Sequence, residues 1–102
     1  MIMQGYKLFR KRRDGTYGPL FINPRQKLIT GERYIAEDHP TKGYKHRPGW
    51  HICAEPRAPH LTDKGRVWCR VEFDHKETLH RPENQGGIWY LGNDIRILHE
   101  LS

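Results

Sequence analysis

The chain has 102 residues, which predicts a single domain spanning 1–102 with one modest core. Eighteen lysines and arginines against twelve acidic residues leave a formal charge of +6, which favours anionic partners such as nucleic acid, nucleotides or an acidic protein face. Two cysteines are too few for a disulfide framework, and the chain shows neither a signal peptide nor an apolar run long enough to cross a membrane, so we expect an intracellular protein with reduced thiols.

The first half of the chain predicts short strands separated by turns. Asp14-Gly15 is typical of a tight hairpin turn, because glycine tolerates the positive φ that such turns need. Prolines and glycines between 38 and 49 oppose any regular element and predict a loop. The strands are expected over 6–12, 17–22, 33–37 and 50–54.

The second half contains the clearest strand, over 66–74. There Val67, Cys69, Val71 and Phe73 alternate with polar neighbours and with Trp68, the pattern of a sheet with one buried face. Residues 75–87 are polar and are expected to form a long loop, followed by strands over 88–91 and 95–101. The predicted fold class is α+β, a mostly antiparallel β-sheet or small barrel of six to seven short strands with at most one short helix.

Metal and thiol chemistry are both poorly supported by the residue spacing. His51 and Cys53 would share one face of a strand, but the chain has no CxxC, no HExxH and no zinc-finger pairing. No catalytic triad pattern accompanies either cysteine. We expect Cys53 and Cys69 to be small buried residues on neighbouring strands, and we predict no metal, no cofactor and no catalytic residue, which leaves enzymatic activity an open question.

Basic and aromatic residues are the more informative signal. Arginines recur along the chain, and tryptophans among them could act as stacking platforms, as in proteins that bind single-stranded nucleic acid. Trp50 and Trp89 are also compatible with core packing. Trp68 falls on the polar side of its strand, and an exposed aromatic there would indicate a partner surface.

Two loops are similar in chemistry, because 39–50 and 80–89 each combine a histidine, an Arg-Pro step, a glycine turn and a tryptophan. Long elaborate loops are often functional. If the fold brings these two together, they form a pocket that grips an anionic or aromatic ligand through arginine and a stacking ring. The predicted ligand- or partner-binding residues are Arg47, His51, Arg81, Gln85, Trp89, Lys42 and Trp68.

Segments 6–10, 14–23, 39–44, 47–51 and 81–90 resemble a family of small uncharacterised proteins from bacteriophages and prophages. The resemblance covers nearly the whole chain. It implies a phage accessory protein of the host cytoplasm, which binds and inhibits a host defence protein or ribonucleoprotein in the manner of anti-CRISPR proteins. The basic and aromatic surface would then mimic or compete for nucleic acid.

A second similarity is to the ADP-ribosyltransferase-like fold, in which an early strand resembles Tyr6–Arg10 and a strand resembling Gly49–Cys53 precedes a short helix. That resemblance implies a nucleotide- or NAD-related ligand pocket. The chain departs from the family because it has no recognisable late catalytic glutamate motif.

Overall fold

A computed structural model describes residues 1–20, 25–36, 49–58, 61–62 and 64–101. One antiparallel sheet accounts for most of these residues, and their helical part is a 3-10 turn, Glu83–Gln85. This confirms the prediction of a mostly antiparallel β-sheet. The described residues contain no helix long and apolar enough to cross a membrane. The strands are β1 (Ile2–Lys11), β2 (Tyr17–Gly18), β3 (Arg33–Ile35), β4 (Trp50–Cys53), β5 (Arg66–His80), β6 (Ile88–Gly92) and β7 (Asp94–Glu100).

The long strand β5 organises the sheet. Strand β1 pairs with its first part, from the Ile2–Asp74 pair to the Arg10–Arg66 pair. Strands β6 and β7 pair with successive parts of β5. Strand β4 pairs with β6 and also meets β1 at Tyr6 and Cys53, so the pairings close the circuit β1–β5–β6–β4–β1.

Alternation along the strands separates a core face from an outer face. The predicted core side of β5 is confirmed, because Cys69, Val71 and Phe73 are at most 1% exposed. They join Phe9 and Ile52 in one hydrophobic cluster. By the strand register, the outer face carries Gln4, Tyr6, Leu8 and Arg10 on β1 and Arg66, Trp68, Arg70, Glu72 and Asp74 on β5.

The loop predicted over 75–87 is wrong for residues 75–80, which continue β5. The register with β6 shifts between His75 and Glu77. A bulge of this kind moves the following side chains to the opposite faces of the sheet. Leu79 therefore lies opposite Trp89 on the other side of the sheet from Phe73, where it is buried. The polar residues His75 and Glu77 interrupt the apolar alternation between Phe73 and Leu79, so the sequence pattern ends at Phe73.

Close approach of β4 to β1 depends on Gly5. A Cβ atom at this position would lie 2.7 Å from the Ile52 Cγ2 and 2.9 Å from the carbonyl oxygen of Cys53. Any side chain would push the two strands apart, so the small residue allows the circuit of pairings to close.

Both cysteines are buried and free, as expected, but they are not on neighbouring strands. Cys53 lies opposite Tyr6 and Cys69 lies opposite Lys7, so β1 separates the two and they belong to opposite faces of the sheet. Burial raises the pKa of each thiol to about 12, which leaves both protonated and unreactive at neutral pH.

Candidate functional site

The two-loop pocket predicted from the sequence is placed only in part. Lys42 and Arg47 lie outside the described residues. His51 on β4 and Trp89 on β6 are on paired strands, and their rings meet edge to face with centroids 6.5 Å apart. Gln85 contributes its backbone, because its carbonyl oxygen accepts a 2.7 Å hydrogen bond from the Trp89 indole.

Arg81 is exposed in the turn after β5, where its backbone N–H donates to the carbonyl oxygen of Gly87. Two left-handed glycines, Gly86 and Gly87, shape this turn. The backbone hydrogen bonds of Arg81 and Gln85 therefore stabilise this turn. The structure brings His51, Trp89 and the Gln85 backbone together, and it shows Arg81 as an exposed turn residue.

The three tryptophans occupy different environments. Trp50 packs against the core and its indole donates to the carbonyl oxygen of Tyr34 at 3.1 Å. The Trp89 indole is bonded to Gln85 and its ring contacts His51. Trp68 is half-buried on the outer face opposite the buried Leu8, and within the described residues it makes neither an indole hydrogen bond nor a ring contact. Trp68 is therefore the tryptophan whose indole has neither a ring partner nor a hydrogen-bond partner among the described residues.

Arg70 lies next to Trp68 along the outer side of β5 and is held in place by neutral groups. Its Nε donates to Gln4 Oε1 at 2.8 Å and one terminal nitrogen donates to the Tyr6 hydroxyl at 2.9 Å. The guanidinium carbon also lies 5.4 Å from the Tyr6 ring centroid, a cation–π contact. Since both hydrogen-bond partners are uncharged, the positive charge of Arg70 is oriented without being neutralised by them.

A further pair of arginines continues this surface. Arg10 and Arg66 lie directly opposite each other across β1 and β5, an arrangement of like charges that is unfavourable in a sheet. The Arg66 guanidinium donates to the carbonyl oxygen of Thr62 at 3.0 Å. We call this region the basic half of the outer face; it consists of Tyr6, Arg10, Arg66, Trp68 and Arg70.

The other end of the outer face is neutralised by ion pairs. Arg33 forms an ion pair with the buried carboxylate of Asp94, and Arg96 forms an ion pair with Glu72 at 2.8 Å. The second oxygen of Asp94 accepts the backbone N–H of Asp74 at 2.9 Å. These residues line a shallow groove of about 440 Å³. We call this region the ion-paired half; it consists of Arg33, Glu72, Asp74, Asp94 and Arg96.

Lys7 lies behind the basic half, on the core side of β1 between Gly5 and Phe9. Its ammonium donates to the carbonyl oxygen of His51 at 2.7 Å and lies 5.9 Å from the ring centroids of Phe9 and Trp50. Burial lowers the pKa of Lys7 from 10.5 to about 8. Sequence reasoning missed this residue, although its place in the Met3-x-Gly5-x-Lys7-x-Phe9 alternation was a usable signal.

Sequence reasoning also missed Gln4 and Tyr6 as supports of Arg70. The polar alternation of 66–74 did point to Trp68 and Arg70 on one side of a strand, but the partner strand was not identifiable.

Among residues the structure describes, no three histidine, cysteine or acidic side chains are grouped as metal ligands. No protein-family model, curated protein or solved structure matches this chain.

Proposed function

We propose that this protein binds single-stranded nucleic acid through the basic half of its outer face. The observation that carries the proposal is the side-by-side placement of Arg70, oriented by neutral partners, and Trp68, whose ring is unpaired within the described residues. The arginine guanidinium can donate two parallel hydrogen bonds to one phosphate group. A tryptophan ring can stack on an unpaired base. Strand β5 therefore carries both the phosphate-binding group and the stacking group that a site for single-stranded nucleic acid needs.

A single strand suits this surface better than a duplex. The bases of a duplex are stacked on each other and are not available to an aromatic side chain on a sheet. Arg10 and Arg70 occupy outward positions of the basic half, and neither forms an ion pair with an acidic residue among those that the structure describes. This local excess agrees with the net charge of +6, and it favours a polyanion.

The resemblance to bacteriophage proteins supplies the context of the proposal. In that context the ligand is the exposed nucleic acid of a host defence ribonucleoprotein in the host cytoplasm, and binding blocks that component in the manner of an anti-CRISPR protein. The closed circuit of strand pairings supports, as part of the same proposal, a small barrel as the scaffold.

The direct test is fluorescence anisotropy with labelled single-stranded RNA and DNA at low salt. Trp68→Leu should weaken binding by about 1–3 kcal/mol, the usual cost of losing one stacking contact, while leucine still covers Leu8. Arg81→Ala is the matched charge control for Arg70→Ala, since it removes an exposed arginine from the turn instead of the sheet face. Absence of binding to either nucleic acid at low salt would refute the proposal.

The contact between His51 and Trp89 supports a second candidate, a nucleotide- or NAD-related ligand site at the β4–β6 pair. A thermal-shift screen with nucleotides and NAD tests it. A ligand present at 100 times its dissociation constant should stabilise the folded chain by about 2.7 kcal/mol. Flat melting temperatures across the panel, or shifts insensitive to His51→Ala, would contradict this second site.

A further inference from the structure

The basic half is continuous with two turns at one end of the sheet. The turn after β1 is closed by a 3.1 Å hydrogen bond from the Gly15 N–H to the carbonyl oxygen of Arg12. Lys64 and Gly65 lie in the turn before β5. The Lys11 N–H donates to the carbonyl oxygen of Gly65 at 3.3 Å, so the two turns lie side by side just beyond the basic half.

These turns add exposed positive charge. Arg13 is exposed in the first turn and Lys64 in the second, and Arg10 is exposed at the last outward position of β1. The charged groups of these three residues have no hydrogen-bond or ion-pair partner among the residues that the structure describes. Arg66 is not counted with them, because its guanidinium already donates to the carbonyl oxygen of Thr62.

Carboxylates at this end of the sheet do not neutralise the three cations. Asp14 is paired with Lys27 at 2.9 Å, and Glu100 is paired with Lys11 at 2.6 Å. Each carboxylate therefore has a lysine of its own. The charges of Arg10, Arg13 and Lys64 remain in excess and are available to an anionic ligand.

The ion-paired half offers no comparable excess. Each of its carboxylates has one cationic partner, in the pairs Arg33–Asp94, Arg96–Glu72 and the N-terminal ammonium with Asp74. Three positive groups thus balance three negative groups. A polyanion that leaves Arg70 gains more attraction by running toward the two turns than by running over the ion-paired half.

We infer that a bound single strand runs along β5 from Arg70 toward the two turns. This inference rests on the proposed single-strand binding and gives it a direction. A base stacked on Trp68 then lies between phosphates bound by Arg70 and Arg10. Later phosphates of the same strand reach Arg13 and Lys64. We call this path, from Arg70 to the two turns, the basic track.

The geometry of β5 gives the length of the basic track. Arg70 and Gly65 are five residues apart, which corresponds to ~17 Å along the strand. At ~3.4 Å per nucleotide this is about five nucleotides of a stacked single strand, and fewer if the strand is extended. A twelve-nucleotide strand is therefore long enough to occupy the whole track.

The test is the salt dependence of anisotropy for a labelled single strand of twelve thymidines. Each neutralised phosphate of a single strand contributes about −0.7 to the slope of log K against log salt. Four contacts predict a slope of about −2.8 for the wild-type chain. The double variant Arg13→Gln with Lys64→Gln loses two contacts and should show a slope of about −1.4. The ratio of wild-type to variant affinity should therefore fall about 25-fold between 0.05 and 0.5 M salt.

A second double variant controls for the loss of net charge. Arg57→Gln with Arg81→Gln removes the same two charges at the opposite end of β5, where Arg57 is paired with Glu83 at 3.6 Å. Its salt slope should stay at the wild-type value. Trp68→Leu should weaken binding at every salt concentration without changing the slope, because stacking on an indole releases no counterions.

The outcomes separate the basic track from single-strand binding itself. Equal slopes in the two double variants would overturn the assigned direction, while a wild-type chain that still binds would leave the proposed function standing. A lower slope in the variant of Arg13 and Lys64 alone would support the track. Failure of the wild-type chain to bind the strand at low salt would overturn the proposed function.

Discussion

The two halves of the outer face use arginine in opposite ways. In the ion-paired half each arginine is bonded to a carboxylate from a neighbouring strand, so charge holds β3, β5 and β7 together. In the basic half Arg70 is held by an amide and a phenol, which orient its charge without cancelling it. The same side chain is thus part of the scaffold at one end and available to a ligand at the other. Bonding partners distinguish the two roles better than exposure does.

The largest expected effect concerns Lys7, which adds a partly buried positive charge directly behind the basic half. Its folded-state pKa is about 8 against 10.5 when unfolded, so below pH 8 folding must bury a charged ammonium. Stability from this group therefore rises as the pH increases from about 8 toward 10.5, by up to about 3 kcal/mol. Lys7→Met should remove that rise.

The measurement for Lys7 is urea unfolding of both proteins between pH 7 and pH 10.5. Cys53 and Cys69 oppose the rise at higher pH, because their raised pKa values make the unfolded chain lose protons first above about pH 9. The difference between the wild-type chain and Lys7→Met isolates the lysine, since both carry these thiols. Parallel pH profiles would contradict the assignment.

Asp94 should show the largest effect within the ion-paired half. Asp94→Ala removes the partner of Arg33 and leaves the backbone N–H of Asp74 without its acceptor. We expect a loss of about 2 kcal/mol in the free energy of unfolding, since Arg33 is largely exposed and is partly solvated in any case. Asp94→Asn keeps an acceptor oxygen and should lose about half as much. Equal losses in the two variants would mean that packing, and not the hydrogen bonds, sets the stability at this position.

For Arg70 we expect a larger effect on nucleic-acid binding than on stability. Arg70→Ala should reduce affinity for a single-stranded oligonucleotide about tenfold, which corresponds to about 1.4 kcal/mol, because the oriented phosphate fork is gone. The free energy of unfolding should fall by less than about 1 kcal/mol, since its hydrogen bonds are partly exposed. Anisotropy and urea unfolding on the same preparation test both parts. A large loss of stability with unchanged binding would place Arg70 in the scaffold.

Glu72 at the junction of the halves should show the smallest effect on stability. Its ion pair with Arg96 is partly exposed, and such pairs contribute about 0–1 kcal/mol. Glu72→Gln should therefore change the free energy of unfolding by less than about 1 kcal/mol. Raising the salt concentration should abolish the small stability difference between Glu72→Gln and wild type. A difference that persists at high salt would show that Glu72 acts through packing.

Much of the strand content was predictable, whereas the pairing of strands was not. The alternation around Cys69, Val71 and Phe73 shows a buried face directly, and the Asp14-Gly15 turn is present, with Gly15 at φ 86° and its N–H donating to the carbonyl oxygen of Arg12 at 3.1 Å. The β5 extension through the bulge had no such signature. Nor does any local pattern indicate that β1 lies against β5, because that choice depends on packing across the whole core.

The candidate site shows the same limit. Trp68 was identified from alternation alone, because a large aromatic among polar neighbours is visible in one strand. The support of Arg70 by Gln4 and Tyr6 is a cross-strand property and was not predictable. The two-loop pocket stays a prediction, since Arg47 lies outside the described ranges, and so does the binding role predicted for Lys42.

The pairing of β1 with β5 has a consequence for how binding relates to folding. Arg70 and Tyr6 are 64 residues apart in the chain, so the basic half exists only after the two strands have closed a long loop. Contacts of this kind form slowly and are lost together on unfolding. A peptide containing either strand alone would not bind, and a ligand that fits this face would shift the folding equilibrium of the entire chain. Oligonucleotide binding would therefore serve as a direct assay of the native sheet.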